Sequence, residues 1–145
     1  MSEIILATKQ HLSEVAEIEK KVFSEPWSEK SLELCLSDNA FCICCVESGA
    51  VVSYCTVMTV LDEAQIINVA TDPERRGRGY AKAVLETVFA ECKKRNLISI
   101  SLEVRESNVP AIALYEGLGF NVEGKRKDFY KNPRENALVM IKNLV

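Results

Sequence analysis

The stretch Ile66-Ile67-Asn68-Val69-Ala70-Thr71-Asp72-Pro73-Glu74-Arg75-Arg76-Gly77-Arg78-Gly79-Tyr80-Ala81 leads from an apolar run into a segment where Val84, Leu85, Val88 and Phe89 recur at helical spacing. Asp72-Pro73 announces a turn, so a strand hands over to a helix through a loop rich in glycine and arginine. Such a junction suits phosphate: the first N–H groups of a helix have no internal partner, and glycine lets a ligand approach that backbone closely. The bland alternative is an exposed, solvated turn. Two familiar phosphate loops do not fit. A Walker loop needs Gly-Lys followed by Ser or Thr, whereas Gly79 is followed by Tyr80-Ala81, and a dinucleotide fingerprint needs a third glycine where Lys82 stands.

Outward from this junction, the pattern predicts a mixed α/β order. Residues 4–7 read as a short strand, and Thr8 can cap a helix over 9–23 with Leu12, Val15, Ile18 and Val22 on one face. Ser28 can cap a second short helix carrying Leu32, Leu34 and Leu36 and ending near Asp38-Asn39. Residues 41–47 and 51–60 are β-rich and flank Ser48-Gly49-Ala50, which predicts a hairpin. A strand over 64–70, a long helix over 79–95, a strand over 98–104 and a helix over 108–118 closed by Gly119 follow. Two β-rich stretches, 120–130 and 136–144, should pair. The many strands relative to helices favour a largely antiparallel sheet flanked by helices over a doubly wound parallel one.

The 145 residues predict one domain spanning residues 1–145, with a sizeable core. A hydrophobic share of 48% beside 27% charged residues is that of an ordinary globular protein. No basic patch with a long apolar stretch follows Met1, and no run approaches a membrane span, so the expected location is cytoplasmic. A net charge of −3 argues against a nucleic-acid partner that needs many phosphates neutralised. Lys93, Lys94 and Arg95 end a helix, where cations suit the dipole, while Lys125, Arg126 and Lys127 are less easily explained. The six cysteines, Cys35, Cys42, Cys44, Cys45, Cys55 and Cys92, form no Cys-x-x-Cys pair, and His11 is the only histidine. Reduced, buried thiols are therefore expected, and no metal site.

Two later segments could carry chemistry. In Ile98-Ser99-Ile100-Ser101-Leu102-Glu103-Val104-Arg105 the apolar side chains alternate with polar ones, so Glu103 shares a face with Ser99 and Ser101. It is either a solvent-facing strand residue or a general base on a rigid element. In the segment from Asn108 to Phe120, Asn108 is a good N-cap, and Pro110 is tolerated in a first turn. Tyr115 lies two turns on, about 10 Å along the same face. An amide at the entrance and a phenol deeper in would then share one face, although a core tyrosine reads equally well.

The pattern Arg/Gln-x-x-Gly-x-Gly/Ala, present as Arg76-Gly77-Arg78-Gly79-Tyr80-Ala81, resembles the pyrophosphate loop of the GNAT acetyltransferases, and Leu114-Tyr115-Glu116-Gly117-Leu118-Gly119-Phe120 is similar to their second signature. Within that family Phe23-Ser24-Glu25-Pro26-Trp27-Ser28, Leu61-Asp62-Glu63-Ala64 and Asn68-Val69-Ala70-Thr71-Asp72-Pro73 resemble the bacterial RimI-type ribosomal-protein-alanine N-acetyltransferases. The resemblance implies acetyl-CoA as co-substrate and a protein N-terminus, of a ribosomal protein, as acceptor. It implies that Val69, Ala70 and Thr71 offer backbone groups to the pantetheine arm, and that Arg76, Gly77, Arg78, Gly79, Tyr80, Ala81 and Lys82 surround the pyrophosphate. It further implies that Asn108 hydrogen-bonds the cofactor, that Glu103 is the base and that Tyr115 is the acid. Phe129 and Asn136 depart from the family's late Tyr-Tyr and Glu-Asp-Ala pattern, in a region expected to grip the acceptor. Ala81 in place of a glycine is a permitted variant.

These residue types suit the reaction implied. An amine attacks a thioester only when neutral, and an α-amino group with a pKa of about 8 is roughly a tenth neutral at pH 7. A glutamate can take up the remaining proton, and a phenol, with a pKa of about 10, stays protonated to supply a departing thiolate. Two other readings compete: a GNAT enzyme for a small amine, and a non-catalytic nucleotide or acyl-CoA binding module in which Glu103 would meet a ribose.

Overall fold

A computed structural model describes residues 2–145. In chain order it contains β1 (Ser2–Leu6), a 3-10 turn (Lys9–His11) leading into α1 (Leu12–Val22), α2 (Glu29–Leu32) with a 3-10 turn (Glu33–Cys35), β2 (Ala40–Glu47), β3 (Ala50–Val60) and β4 (Glu63–Thr71). A 3-10 turn (Pro73–Arg75), α3 (Tyr80–Lys94), β5 (Ser99–Arg105), α4 (Val109–Gly117), β6 (Asn121–Lys131) and β7 (Arg134–Asn143) complete it. The strands form one seven-stranded sheet in the order β1-β2-β3-β4-β5-β7-β6. Every neighbouring pair is antiparallel except β4 and β5. This is the mixed, largely antiparallel α/β fold that the strand count predicts.

Two cores lie on opposite faces of the sheet. On one, Ile43, Cys45, Val52 and Val57 meet the α3 residues Val84, Leu85, Val88, Phe89 and Cys92. On the other, Cys42, Cys44 and Tyr54 meet Leu12, Val15 and Ile18 of α1. Strands buried on both faces read as unbroken apolar runs, which is why Phe41-Cys42-Ile43-Cys44-Cys45-Val46 shows no polar alternation. Each of these Val, Leu or Phe side chains contributes about 1.5–3 kcal/mol by leaving water. All six thiols are free and buried, and burial pushes Cys44 and Cys92 up to about 11, so they stay protonated. The β2–β3 hairpin turns through Ser48 and Gly49 at φ 52° and 83°, the paired positive values that a two-residue turn of matching twist requires.

Some boundaries differ from expectation. The first helix begins at Leu12 after a 3-10 turn, where His11 Nδ1 accepts from Thr8 N–H (2.9 Å). The second is a single turn capped by Ser28, whose Oγ accepts from Ser31 N–H (3.1 Å), and Leu34 beyond it is 67% exposed rather than part of an apolar face. Among the described residues no helix is long and apolar enough to cross a membrane.

The feature that positions the site is where the sheet comes apart. β4 and β5 pair only at Glu63–Ser99, Ala64–Ile100 and Gln65–Ser101. In the β3–β4 ladder, Val57 faces Ile66 and Thr56 faces Asn68, which leaves Ile67 as the extra residue of a bulge. Bulges bend the strand that carries them. From there β4 follows β3, β5 follows β7, and their facing edges diverge into a crevice.

Candidate active site in the crevice between two parting strands

The crevice holds a cavity of about 710 Å³ whose walls include Asn68 and Val69 from β4, Glu103 and Arg105 from β5, and Asn108 and Tyr115 from the α4 segment. Strand alternation puts Leu102 and Val104 into the core and turns Glu103 to the crevice. Its Oε1 accepts from Gln65 Nε2 (3.3 Å) and its Oε2 pairs with Arg126 Nε (3.0 Å), so the carboxylate is held from two sides.

Tyr115 reaches the same cavity from the helix. Asn108 Oδ1 accepts from Ala111 N–H (3.3 Å) to start α4, with Pro110 in the first turn. Gly119 ends it at φ 98°, a conformation that favours glycine; the one atom a Cβ would crowd, Lys142 Nζ at 2.7 Å, is the end of a flexible side chain. Tyr115 is 7% exposed, with its ring edge against Phe120 at 5.8 Å between centroids. Burial raises its pKa, which keeps the phenol protonated. Its hydroxyl has no hydrogen-bond partner among the described residues, and no buried side-chain oxygen there lacks one, so this oxygen opens onto the cavity.

The β4 edge can be read from its pairing. Asp72 N–H donates to Val52 C=O (2.8 Å), and Ala70 C=O accepts from Ser53 Oγ (3.0 Å). Alternate residues of a strand present their backbone groups to opposite edges. Val69 and Thr71 therefore present theirs to the crevice, while Ala70 turns its own toward β3.

Beyond Thr71 the glycine-arginine loop lies outside the cavity wall. Arg76, Gly77, Arg78, Gly79 and Lys82 are exposed, and Tyr80 and Ala81 are half-buried. Gly77 and Gly79 sit at φ 79° and 80°, which favours glycine, and a Cβ on either would meet open space. Gly79 C=O accepts the first helical bond, from Ala83 (3.1 Å), which leaves the N–H groups of Tyr80, Ala81 and Lys82 without intrahelical acceptors. Arg75 is engaged elsewhere, on Glu47 at 2.8 Å. The hydrogen bond from Tyr80, followed by the Arg75 charge, lowers the Glu47 pKa. Glu47 thus anchors the start of the loop through Arg75, while Arg76 and Arg78 stay exposed. This arrangement fits an extended, anionic cofactor: N–H donors and cations at one end, an open strand edge along the middle, and Glu103 with Tyr115 beyond.

The far side of the cavity is roofed by two segments. Ser24 Oγ donates to Asn132 C=O (2.7 Å), and Asn132 Nδ2 donates to Glu25 Oε1 (2.9 Å), so the loop after α1 is clasped to the β6–β7 turn. Arg105 reaches the same turn, donating to Pro133 C=O (2.8 Å) and Asn132 C=O (3.1 Å) while stacking over Tyr130 at 4.3 Å. Burial pushes Tyr130 up to about 12. Two cations of the basic run at 125–127 now have an explanation: Lys125 pairs with Glu106 (2.6 Å) and Arg126 with Glu103. Sequence reasoning missed Glu19, whose carboxyl is fully buried behind Asn68; its signal was an acidic residue on the apolar face beside Val15 and Ile18.

Residues 12–120 match the model of the acetyltransferase (GNAT) family. The chain is 37% identical over 125 residues to the ribosomal protein bS18-alanine N-acetyltransferase of Escherichia coli K12, covering 85% of this chain and 84% of that one. It is 32% identical over 142 residues to the enzyme of the same name from Salmonella typhimurium LT2, with 97% and 96% covered. The crystal structure of the ribosomal-protein-S18-alanine N-acetyltransferase from Escherichia coli superposes with a TM-score of 0.92 at 34% identity, over 99% of this chain and 94% of that one. A loop of free amides beyond a parted strand edge, in a chain so matched, leaves one assignment: this protein belongs to the GNAT family and is an N-acetyltransferase.

Proposed function

We propose that the protein transfers an acetyl group from acetyl-CoA to the N-terminal amine of a protein, with the N-terminal alanine of a ribosomal protein as the acceptor its relatives' names suggest. The observation that carries this reading is the convergence of Glu103 and Tyr115 on one cavity, between an open strand edge and a clasped roof. When bound, acetyl-CoA supplies an acyl group activated as a thioester. Arg76, Arg78 and the free amides of Tyr80, Ala81 and Lys82 hold its pyrophosphate, Gly77 and Gly79 keep the approach open, and Val69 and Thr71 hydrogen-bond along its arm. Asn108 lines the same passage.

Glu103 accepts a proton from the incoming ammonium, directly or through water, and Gln65 and Arg126 fix the direction of its lone pairs. Tyr115 donates its proton to the departing sulfur, and burial keeps that proton in place until it is needed. The roof from Ser24 to Asn132 narrows the approach, which suits an extended chain end better than a side chain in the middle of a folded surface. Such an enzyme would work in the cytoplasm, where ribosomal proteins are made, on one domain spanning residues 1–145.

Mass spectrometry of an alanine-starting ribosomal-protein peptide, incubated with enzyme and acetyl-CoA, tests the proposal. A gain of one acetyl group on the α-amine is expected. Turnover of polyamines with no product on the peptide would replace it with the small-amine reading.

A further inference from the structure

Glu19 sits on the apolar face of α1, fully buried, and takes no part in the steps above. Its Oε1 accepts from Trp27 N–H (3.0 Å), both its oxygens accept from Asn68 Nδ2 (3.2 and 3.0 Å), and the Tyr54 hydroxyl donates to its Oε2. These donors come from different walls. Trp27 belongs to the loop on the roofed side of the cavity, Asn68 lines it on β4 directly after the bulge residue Ile67, and Tyr54 stands behind both on β3. Asn68 is also held on its other side, its N–H donating to Thr56 Oγ1 (3.0 Å) and its C=O accepting from the same hydroxyl (3.4 Å).

A leucine would fill this place and avoid the desolvation of a carboxyl group, a cost reflected in its raised pKa. It could hold neither the Trp27 amide nor the Asn68 side chain. The carboxyl is a short rigid strut: Oε1 meets the Trp27 N–H on one side of the crevice, and both oxygens meet the Asn68 amide on the other. We infer that Glu19 is a positioning residue that fixes the spacing between the acceptor-side loop and the bulged β4 edge, acting through Trp27 N–H and the Asn68 amide. It therefore governs acceptor turnover rather than coenzyme affinity. This rests on the acetyl-transfer reading and adds to it a residue that touches neither substrate.

Glu19→Gln keeps the volume and an acceptor for Trp27 but sets an NH₂ group against Asn68 Nδ2. With the amine acceptor that the wild type uses best, kcat/KM should fall at least roughly tenfold, through both a higher acceptor KM and a lower kcat. Coenzyme A affinity by calorimetry should stay within about twofold. Asn68→Ala should give a similar loss, and the double variant should lose much less than the product of the two, because both act through one contact. A folded Glu19→Gln protein with unchanged acceptor kinetics, an equal loss of coenzyme affinity, or a fully multiplicative double variant overturns the inference. If Glu19→Gln does not fold, Asn68→Ala decides alone, and unchanged acceptor kinetics there overturn it. Wild-type protein that acetylates no amine breaks the proposed function instead, so the two failures are distinct.

Discussion

Two carboxylate–phenol sets flank the same sheet, and they have opposite fates. Glu19 and Tyr54 are fully buried and satisfied: the phenol donates to the carboxyl, and Asn68 and Trp27 occupy its remaining lone pairs. Glu103 and Tyr115 line an open cavity, the phenol has no partner among the described residues, and the carboxylate is steadied from the side by Gln65 and Arg126. The residue types are the same. A group whose hydrogen bonds are all made inside the protein has nothing left for a substrate, whereas one oriented but not saturated does. The first set holds the walls and the second faces what lies between them.

The largest effect should come from Tyr115→Phe. Removal of a general acid costs on the order of 10³-fold in turnover, and no protein hydrogen bond is lost because this hydroxyl makes none among the described residues. Steady-state kinetics with a thiol-release assay, beside a melting curve that stays within about 2 °C, checks both halves. A large fall in melting temperature with intact turnover would mean that Tyr115 belongs with Tyr54, as structure.

Glu19→Ala should show the reverse profile in stability. Trp27 N–H, the Asn68 amide and the Tyr54 hydroxyl would all lose their acceptor, which costs about 3 kcal/mol and, for a chain of this size, about 10 °C in melting temperature. Urea unfolding measures it. A change below about 1 kcal/mol would show that water or a local shift replaces the carboxyl, and the contrast between the two sets would fade.

Glu103→Gln should cost roughly 10- to 100-fold at pH 7, less than loss of the acid, because a tenth or so of an α-amine is already neutral there. The deficit should narrow as pH rises toward about 9, where the amine sheds its own proton. A deficit that stays constant across that range would leave Glu103 a binding role and take away the base.

How far the sequence foretold this contrast depends on the range of the interactions. Glu103 was legible because strand alternation is local: Ile100, Leu102 and Val104 are buried and the residues between them are not. Tyr115 was legible from its spacing to the Asn108 cap, and the free amides of the loop from Gly79 opening a helix. The parting of β4 from β5 was not legible, since it depends on a bulge defined only when Ile67 is counted against the facing strand. For the same reason the backbone of Ala70 could not be told apart from those of Val69 and Thr71. Leu34 failed as a core residue because the second helix stops after one turn; Leu32 is buried and Leu36 packs partly against the same core, while Leu34 points out. Glu19 is marked locally only as an acidic residue on an otherwise apolar helix face. Its partners lie 8, 35 and 49 residues away, so what it holds could not be read from a local pattern.

The smallest effect is the most exacting test of the buried set. Burial raises the Glu19 pKa from 4.5, and the hydrogen bonds from Tyr54, Trp27 and Asn68 offset that only in part. Folding therefore favours the protonated carboxyl. The stability it confers is fully present below the unfolded value of 4.5 and is lost as pH rises through the raised folded value. A glutamine at this position cannot titrate, so every other carboxylate cancels when wild type and Glu19→Gln are compared at each pH. Wild type should have its greatest advantage, or least deficit, in acid, and should lose ground steadily above pH 4.5. Urea midpoints from acid to neutral pH would reveal the trend. If wild type gained ground with rising pH instead, the three donors would outweigh desolvation, and Glu19 would be an anion held by design rather than a strut that works best when neutral.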